Sequence, residues 1–177
     1  GLDMNAEAVA LGEELREKGA RPYVIPGGGS NPIGALGYAS AAAELVQQAD
    51  MSGLKIDKIV HATGSAGTQA GLVAGLHAMS APIDVIGISV RAKREAQVAN
   101  VHKLAVQTAE LIGVKHELEQ DLIEAVDDYV GPGYGQPTDE MVDAISLLAA
   151  EEGIFLDPVY SGKGMAGMLG LIRNGTL

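Results

Sequence analysis

Residues 62–72 read Ala-Thr-Gly-Ser-Ala-Gly-Thr-Gln-Ala-Gly-Leu, and this stretch constrains the fold more than any other. It follows the apolar pair Ile59-Val60, the end of a buried strand. It precedes residues 69–79, where Leu72, Val73 and Leu76 fall at helical spacing. Residues 84–90, Asp-Val-Ile-Gly-Ile-Ser-Val, form a second near-continuous apolar run, as expected for a strand covered on both faces. One helix fits between the two strands, which makes a βαβ unit with a right-handed crossover. A chain organised on that unit is an α/β protein. The expected architecture is three layers around an open, mostly parallel sheet.

The turn Gly64-Ser65-Ala66-Gly67-Thr68 is a candidate anion site. Amides at a helix N-terminus have no intrahelical partner, and that end carries partial positive charge. Gly64 and Gly67 permit unusual dihedrals and a close backbone approach. Ser65 and Thr68 add hydroxyl donors, and a phosphate is the natural occupant. A plain strand-to-helix connection with Thr68 as N-cap is the competing reading. No Gly-Lys-Ser/Thr ends the turn, so it is not a Walker loop, and the glycine spacing is not Gly-x-Gly-x-x-Gly. The phosphate therefore need not belong to a nucleotide.

Acidic residues outnumber basic ones 23 to 12, which argues against a nucleic-acid or anionic-membrane surface. A phosphate site here must rely on local amides. Aromatics are only 3% of the chain, so the core must be built from Ala, Val, Ile, Leu and Met. With no cysteine there is neither a disulfide framework nor a thiolate metal site. No apolar run approaches the roughly 20 residues that span a bilayer. Gly1-Leu2-Asp3 has neither the basic start nor the apolar stretch of a signal peptide, which leaves the cytoplasm as the expected compartment.

Residues 5–18 read as an amphipathic helix on Ala6, Val9 and Ala10, capped by Asp3 or Asn5 and stopped at Gly19. Tyr23-Val24-Ile25 reads as a short strand. Residues 26–32, Pro-Gly-Gly-Gly-Ser-Asn-Pro, form a second Gly-rich loop, either a linker or a hinge-side loop whose backbone faces a ligand. Residues 33–50 predict a long Ala-rich helix with Leu36, Ala39, Ala43 and Val46 inward. Residues 91–112 predict another, entered through Arg91, Lys93 and Arg94, which either hold an anion or are a solvated helix start. Residues 126–130 carry a weak strand signal. Gly131-Pro132-Gly133-Tyr134-Gly135-Gln136-Pro137 is a third loop. Thr138 caps a helix running to Glu152, with Val142, Ile145, Leu148 and Ala149 inward. A last helix over 165–173 buries Met168, Leu169 and Ile172.

Open parallel sheets bind ligands beyond the carboxyl ends of their strands, where these loops would gather. Tyr134 and Tyr160 are the polar side chains expected in the site. The alternative for each is a surface or half-buried tyrosine with a locally satisfied hydroxyl.

Residues 62–72, residues 131–137 and Asp157-Pro158-Val159-Tyr160 followed by Gly162-Lys163 together carry a family likeness. The chain resembles the pyridoxal-phosphate enzymes that include D-cysteine desulfhydrase, 1-aminocyclopropane-1-carboxylate deaminase and L-cysteate sulfo-lyase. That resemblance implies the tryptophan-synthase-β-like fold, with residues 1–32 as the tail of a small domain and 33–177 as a truncated large cofactor domain. It implies pyridoxal 5'-phosphate as cofactor, a small amino-acid substrate and a homodimer when intact. By the same resemblance Gly64, Ser65, Ala66, Gly67 and Thr68 cradle the phosphate, and Tyr134 and Tyr160 face the substrate. Ser161 sits where the family places the group that meets the pyridine nitrogen. A hydroxyl there implies a weaker electron sink than an acid, which favours β-elimination from D-cysteine or L-cysteate, giving pyruvate and ammonia, over cyclopropane opening.

One departure stands out. The family's Schiff-base lysine lies in an Asn-Lys motif, and none of the seven lysines here follows an asparagine. Lys163 is beside a proposed site residue, and its expected role is ion pairing or helix initiation. The chain is therefore expected to be an internal fragment, roughly the second half of such an enzyme, and inactive alone. A non-catalytic binding or assembly module is the alternative from a different class.

Overall fold

The computed structural model describes residues 3–177. Gly1 and Leu2, the start of the expected 1–32 segment, lie outside the described residues. Strands β1 (Lys58–Thr63), β2 (Asp84–Ser89) and β3 (Glu124–Val126) form a parallel sheet in that order. Val60 lies opposite Ile86 and Thr63 opposite Ser89. Helices α2 (Pro32–Ser52), α3 (Gly67–Ala78) and α4 (Arg94–Leu111) cover one face, with Ala35, Val73, Leu76, Val85, Val101 and Leu104 in a common core. Helices α5 (Asp139–Glu152) and α6 (Ser161–Arg173) lie on the other, where Leu171 meets Ile86 and Ile88. The α/β three-layer expectation holds. Helix α1 (Met4–Glu17) precedes these layers and is capped by Asp3, which accepts from the amides of Asn5 and Ala6.

Small residues bring the layers close. A Cβ on Gly71 would lie 2.3 Å from the Ala35 carbonyl oxygen, and one on Gly75 would lie 2.6 Å from that of Ala39. A Cβ on Gly167 would lie 2.7 Å from Ile88. The Gly71 and Gly75 contacts set which face of α2 turns inward. Ala35, Ala39, Ala42 and Ala49 are buried, whereas Ala43, expected inward, is exposed.

Other expectations shift for identifiable reasons. Residues 23–25 join no ladder, and Tyr23 and Ile25 are exposed. A strand needs a hydrogen-bonded neighbour, and none of the described residues supplies one. The loop at 26–32 contains a 3₁₀ turn (Gly27–Gly29), and Pro32 is the first helical residue of α2, where its missing N–H is harmless. Helix α4 begins at Arg94, so Arg91 and Lys93 precede it. The third strand occupies Glu124–Val126 rather than 126–130. Helix α5 buries Met141 and Ala144, and Val142 faces solvent. Helix α6 starts at Ser161, four residues earlier than the apolar periodicity indicates, and Ile172 is exposed. Asp157 explains the early start, because its carboxylate caps that end.

Candidate active site

Strand β1 ends at Thr63, whose hydroxyl accepts from Gln97 Nε2 at 2.9 Å. The chain then turns through Gly64, Ser65 and Ala66 into α3. Ala66 is the N-cap residue, in the left-handed region at φ 79°, and its own side chain makes no cap bond. Thr68 is therefore not the N-cap; it lies in the first turn of the helix. The cap comes from 37 residues upstream. Ser30 Oγ accepts from the Gly67 amide at 3.1 Å and donates to Ser65 Oγ at 2.8 Å.

Neither Gly64 nor Gly67 has positive φ, so the expected dihedral role falls on Ala66. Both glycines are required by contact instead. A Cβ on Gly67 would meet Ser30 Oγ at 2.7 Å, and a Cβ on Gly64 would meet the Tyr160 hydroxyl oxygen at 2.4 Å. Gly28, at φ 69°, closes over the same turn, since a Cβ there would lie 2.3 Å from Ser65 Oγ.

These residues open onto a cleft of about 800 Å³, with Gly64, Ser65 and Ala66 on one wall and Tyr134 and Tyr160 on another. Arg91 and Lys103 also line it, and among the described residues no carboxylate does. In a chain of net charge −11, that is a local reversal of sign. The basic cluster at the start of α4 therefore divides. Arg91 faces the cleft, while Lys93 pairs with Asp127 at 3.3 Å.

Tyr134 and Tyr160 meet edge to face, with centroids 5.9 Å apart and ring planes at 82°. Burial raises the Tyr160 pKa, and the neighbouring Tyr134 phenol adds to the shift against a partial offset from Arg91. Tyr160 is thus a neutral O–H donor at physiological pH.

The segment before α6 is fixed by Asp157. Its carboxylate accepts from the amides of Val159, Tyr160 and Ser161 at 2.7–2.8 Å, and from the Ser161 hydroxyl. Burial alone would raise the carboxyl pKa, but these donors outweigh it and hold the group well below the usual carboxylate range. An ionised carboxylate only accepts, so the Ser161 proton points at Asp157. Ser161 Oγ also accepts from the Asp157 amide at 2.8 Å.

Ser161 does not line the large cleft. It opens on an adjoining apolar groove of about 340 Å³, and Tyr160 is common to both. His61 lines that groove with both ring nitrogens buried and unbonded, and burial lowers its pKa to about 4.

Lys163 departs most from expectation. It is fully buried, without a carboxylate partner, and its Nζ donates to the carbonyl oxygens of Val130 at 2.7 Å and Gly133 at 2.9 Å. Burial pushes its pKa below the ordinary lysine value. Its amine is engaged away from the cleft, and the lysine that does line the cleft is Lys103. Ser30 and Lys163 carried no local signal, because both act through contacts 30 or more residues distant.

The structure therefore brings together Gly64, Ser65, Ala66, Tyr134 and Tyr160. It sets Gly67 behind Ser30, Thr68 inside α3, and Ser161 in the neighbouring groove.

Comparisons with known proteins extend this picture. The family model described as "Pyridoxal-phosphate dependent enzyme" matches residues 3–177. A Pyrococcus furiosus protein with the provisional name 1-aminocyclopropane-1-carboxylate deaminase is 44% identical over 173 residues, covering 97% of this chain and 51% of that protein. A crystal structure described as an ACC deaminase homologue superposes with a TM-score of 0.88 at 41% identity, covering 97% of this chain and 51% of its own. The chain thus spans about half the length of the relatives it matches.

Proposed function

The chain belongs to the pyridoxal-phosphate-dependent enzymes, and from that premise we propose that the whole protein is a carbon–sulfur lyase acting on a small amino acid. The reaction would be β-elimination from D-cysteine, releasing sulfide, or from L-cysteate, releasing sulfite. Either substrate leaves pyruvate and ammonia after hydrolysis. The observation that carries the reading is the meeting of a glycine-walled anion turn with two tyrosines in one cleft.

The residues fit the cofactor. Its phosphate needs amide donors and positive potential, and the α3 N-terminus, Arg91 and Lys103 supply both without a competing carboxylate. When bound, pyridoxal phosphate supplies the electron sink for chemistry at the amino acid's α-carbon. In this reading the turn from Gly64 to Thr68 holds the phosphate through the amides that Ser30 leaves free and through the Ser65 hydroxyl, and Ser30, on the wall of the same cleft, accepts from the Gly67 amide and fixes the turn. Tyr160 and Tyr134 face the substrate, where the neutral Tyr160 hydroxyl is placed to donate a hydrogen bond or a proton. Residues 1–32 form the tail of a small domain, and 33–177 the cofactor domain.

Ser161 supports a second reading. Its hydroxyl proton is committed to Asp157, so toward a ring nitrogen it acts as an acceptor and favours the protonated ring. That makes a stronger sink than a donating hydroxyl would, and it suits deamination of 1-aminocyclopropane-1-carboxylate, the activity in the relatives' names. The experiment is product analysis of the purified full-length holoenzyme with all three substrates. Pyruvate with sulfide or sulfite supports the lyase, and 2-oxobutanoate from the cyclopropane alone supports the deaminase. Turnover of none of the three overturns both.

A further inference from the structure

We infer that Lys163 is a positioning residue that sets the Tyr134–Tyr160 pair. It is the one charged side chain buried among the described residues. Burying an ammonium without an acid is unfavourable, and an apolar side chain of similar length would fill the same space without that cost. What the amine adds is two hydrogen bonds, to Val130 and Gly133.

Those acceptors are telling. The Gly133 carbonyl belongs to the peptide that leads into Tyr134, so fixing it fixes the plane from which the Tyr134 side chain departs. Lys163 itself lies one helical turn beyond Tyr160 in α6. One side chain therefore ties the backbone of one tyrosine to the helix that carries the other. The loop needs such a tie. Gly131, Gly133 and Gly135 all have positive φ, and the loop joins neither a ladder nor a helix. Its own backbone bonds are long, from the Val130 amide to Asp127 at 3.3 Å and from the Gln136 amide to Gly133 at 3.2 Å. Even an uncharged amine keeps two N–H donors, one for each carbonyl, so lowering the Lys163 pKa does not remove the tie.

Catalytic importance of this tie rests on the reading that the tyrosines face the substrate, whereas its geometric effect does not. The test compares Lys163→Met and Lys163→Gln in the full-length holoenzyme. Methionine keeps the stem and removes every donor; glutamine keeps two donors on a shorter stem. The readouts are tyrosine titration by phenolate absorbance, kcat and KM, and cofactor retention on dialysis. In Lys163→Met the phenol with raised pKa should titrate at lower pH, because Tyr134 leaves Tyr160. The kcat should fall about 10- to 100-fold, the scale of a misplaced reacting group. Cofactor retention should be unchanged, since the cradle is braced by Ser30, and Lys163→Gln should recover part of both effects. If Lys163→Met does not fold, Lys163→Gln carries the same test against the parent protein. Unchanged tyrosine titration and kcat in a folded variant would overturn the inference. So would losses of cofactor and activity that merely follow the unfolded fraction. A shifted titration with unchanged kinetics would uphold the tie and overturn the assignment of the tyrosines to the substrate.

Discussion

Replacing Gly64 by alanine would place a methyl carbon 2.4 Å from the Tyr160 hydroxyl oxygen, 3.0 Å from Cζ and 3.2 Å from Cε1. Non-bonded heavy atoms settle at about 3.5 Å, so the hydroxyl must retreat by roughly 1 Å. Gly64 lacks positive φ, and its backbone accepts alanine without strain. The displacement therefore falls on the half-buried Tyr160 ring and on its contact with Tyr134. Stability should drop by about 1 kcal/mol, the low end of overpacking, because the ring can tilt toward the cleft. A misplacement of about 1 Å can cost about 100-fold in rate, equivalent to about 2.7 kcal/mol of transition-state stabilisation. The assay is pyruvate formation by the full-length holoenzyme, with thermal unfolding measured in parallel. Removing the hydroxyl takes away the 2.4 Å contact and leaves the milder one to Cζ at 3.0 Å, so Gly64→Ala should cost about tenfold less in a Tyr160→Phe background. Wild-type kcat/KM in Gly64→Ala would refute the placement of Tyr160 at the reacting centre. An equal loss in both backgrounds would refute the steric route.

Ser30→Ala leaves the Gly67 amide without its acceptor; it should cost about 1 kcal/mol in chemical denaturation and loosen cofactor retention about fivefold. Gly71→Ala drives a methyl to 2.3 Å from the Ala35 carbonyl oxygen, where backbone must shift, and should cost roughly 1–3 kcal/mol with little effect on cofactor affinity. His61 has its folded pKa lowered to about 4 by burial, below the ordinary 6.5, so its contribution is complete above pH 6.5 and declines as pH falls toward 4. That decline is at most roughly 3 kcal/mol, and His61→Leu should flatten the urea-unfolding profile between pH 4.5 and 6.5.

The pattern of strand, glycine turn and helix was legible because its determinants are local. Apolar runs, Gly64 and the start of α3 all fall within fifteen residues of one another. Thr138 as a cap was equally legible, and it accepts from the Met141 amide at 3.3 Å. The inward face of α2 was not, because an Ala-rich helix is small and apolar on most sides. Gly71 and Gly75 on a different helix make that choice. The cap of α3 was not legible for a related reason, since Thr68 offers a hydroxyl nearby in sequence while the acceptor comes from Ser30, 37 residues before Gly67. Lys163 at a helix start resembles a solvated lysine until the loop carbonyls that cover it are known. Tyr134 and Tyr160 were legible as polar groups among structure breakers, but their edge-to-face contact depends on that hidden lysine.

The most direct measurement is the position of the cofactor's phosphorus in a crystal structure of the full-length holoenzyme. Phosphate oxygens should lie within about 3 Å of amides between Ser65 and Thr68, with the ring beside Tyr160. Phosphate bound elsewhere, with Ser30 still sealing the Gly67 amide and no ligand oxygen at the α3 N-terminus, would contradict that placement.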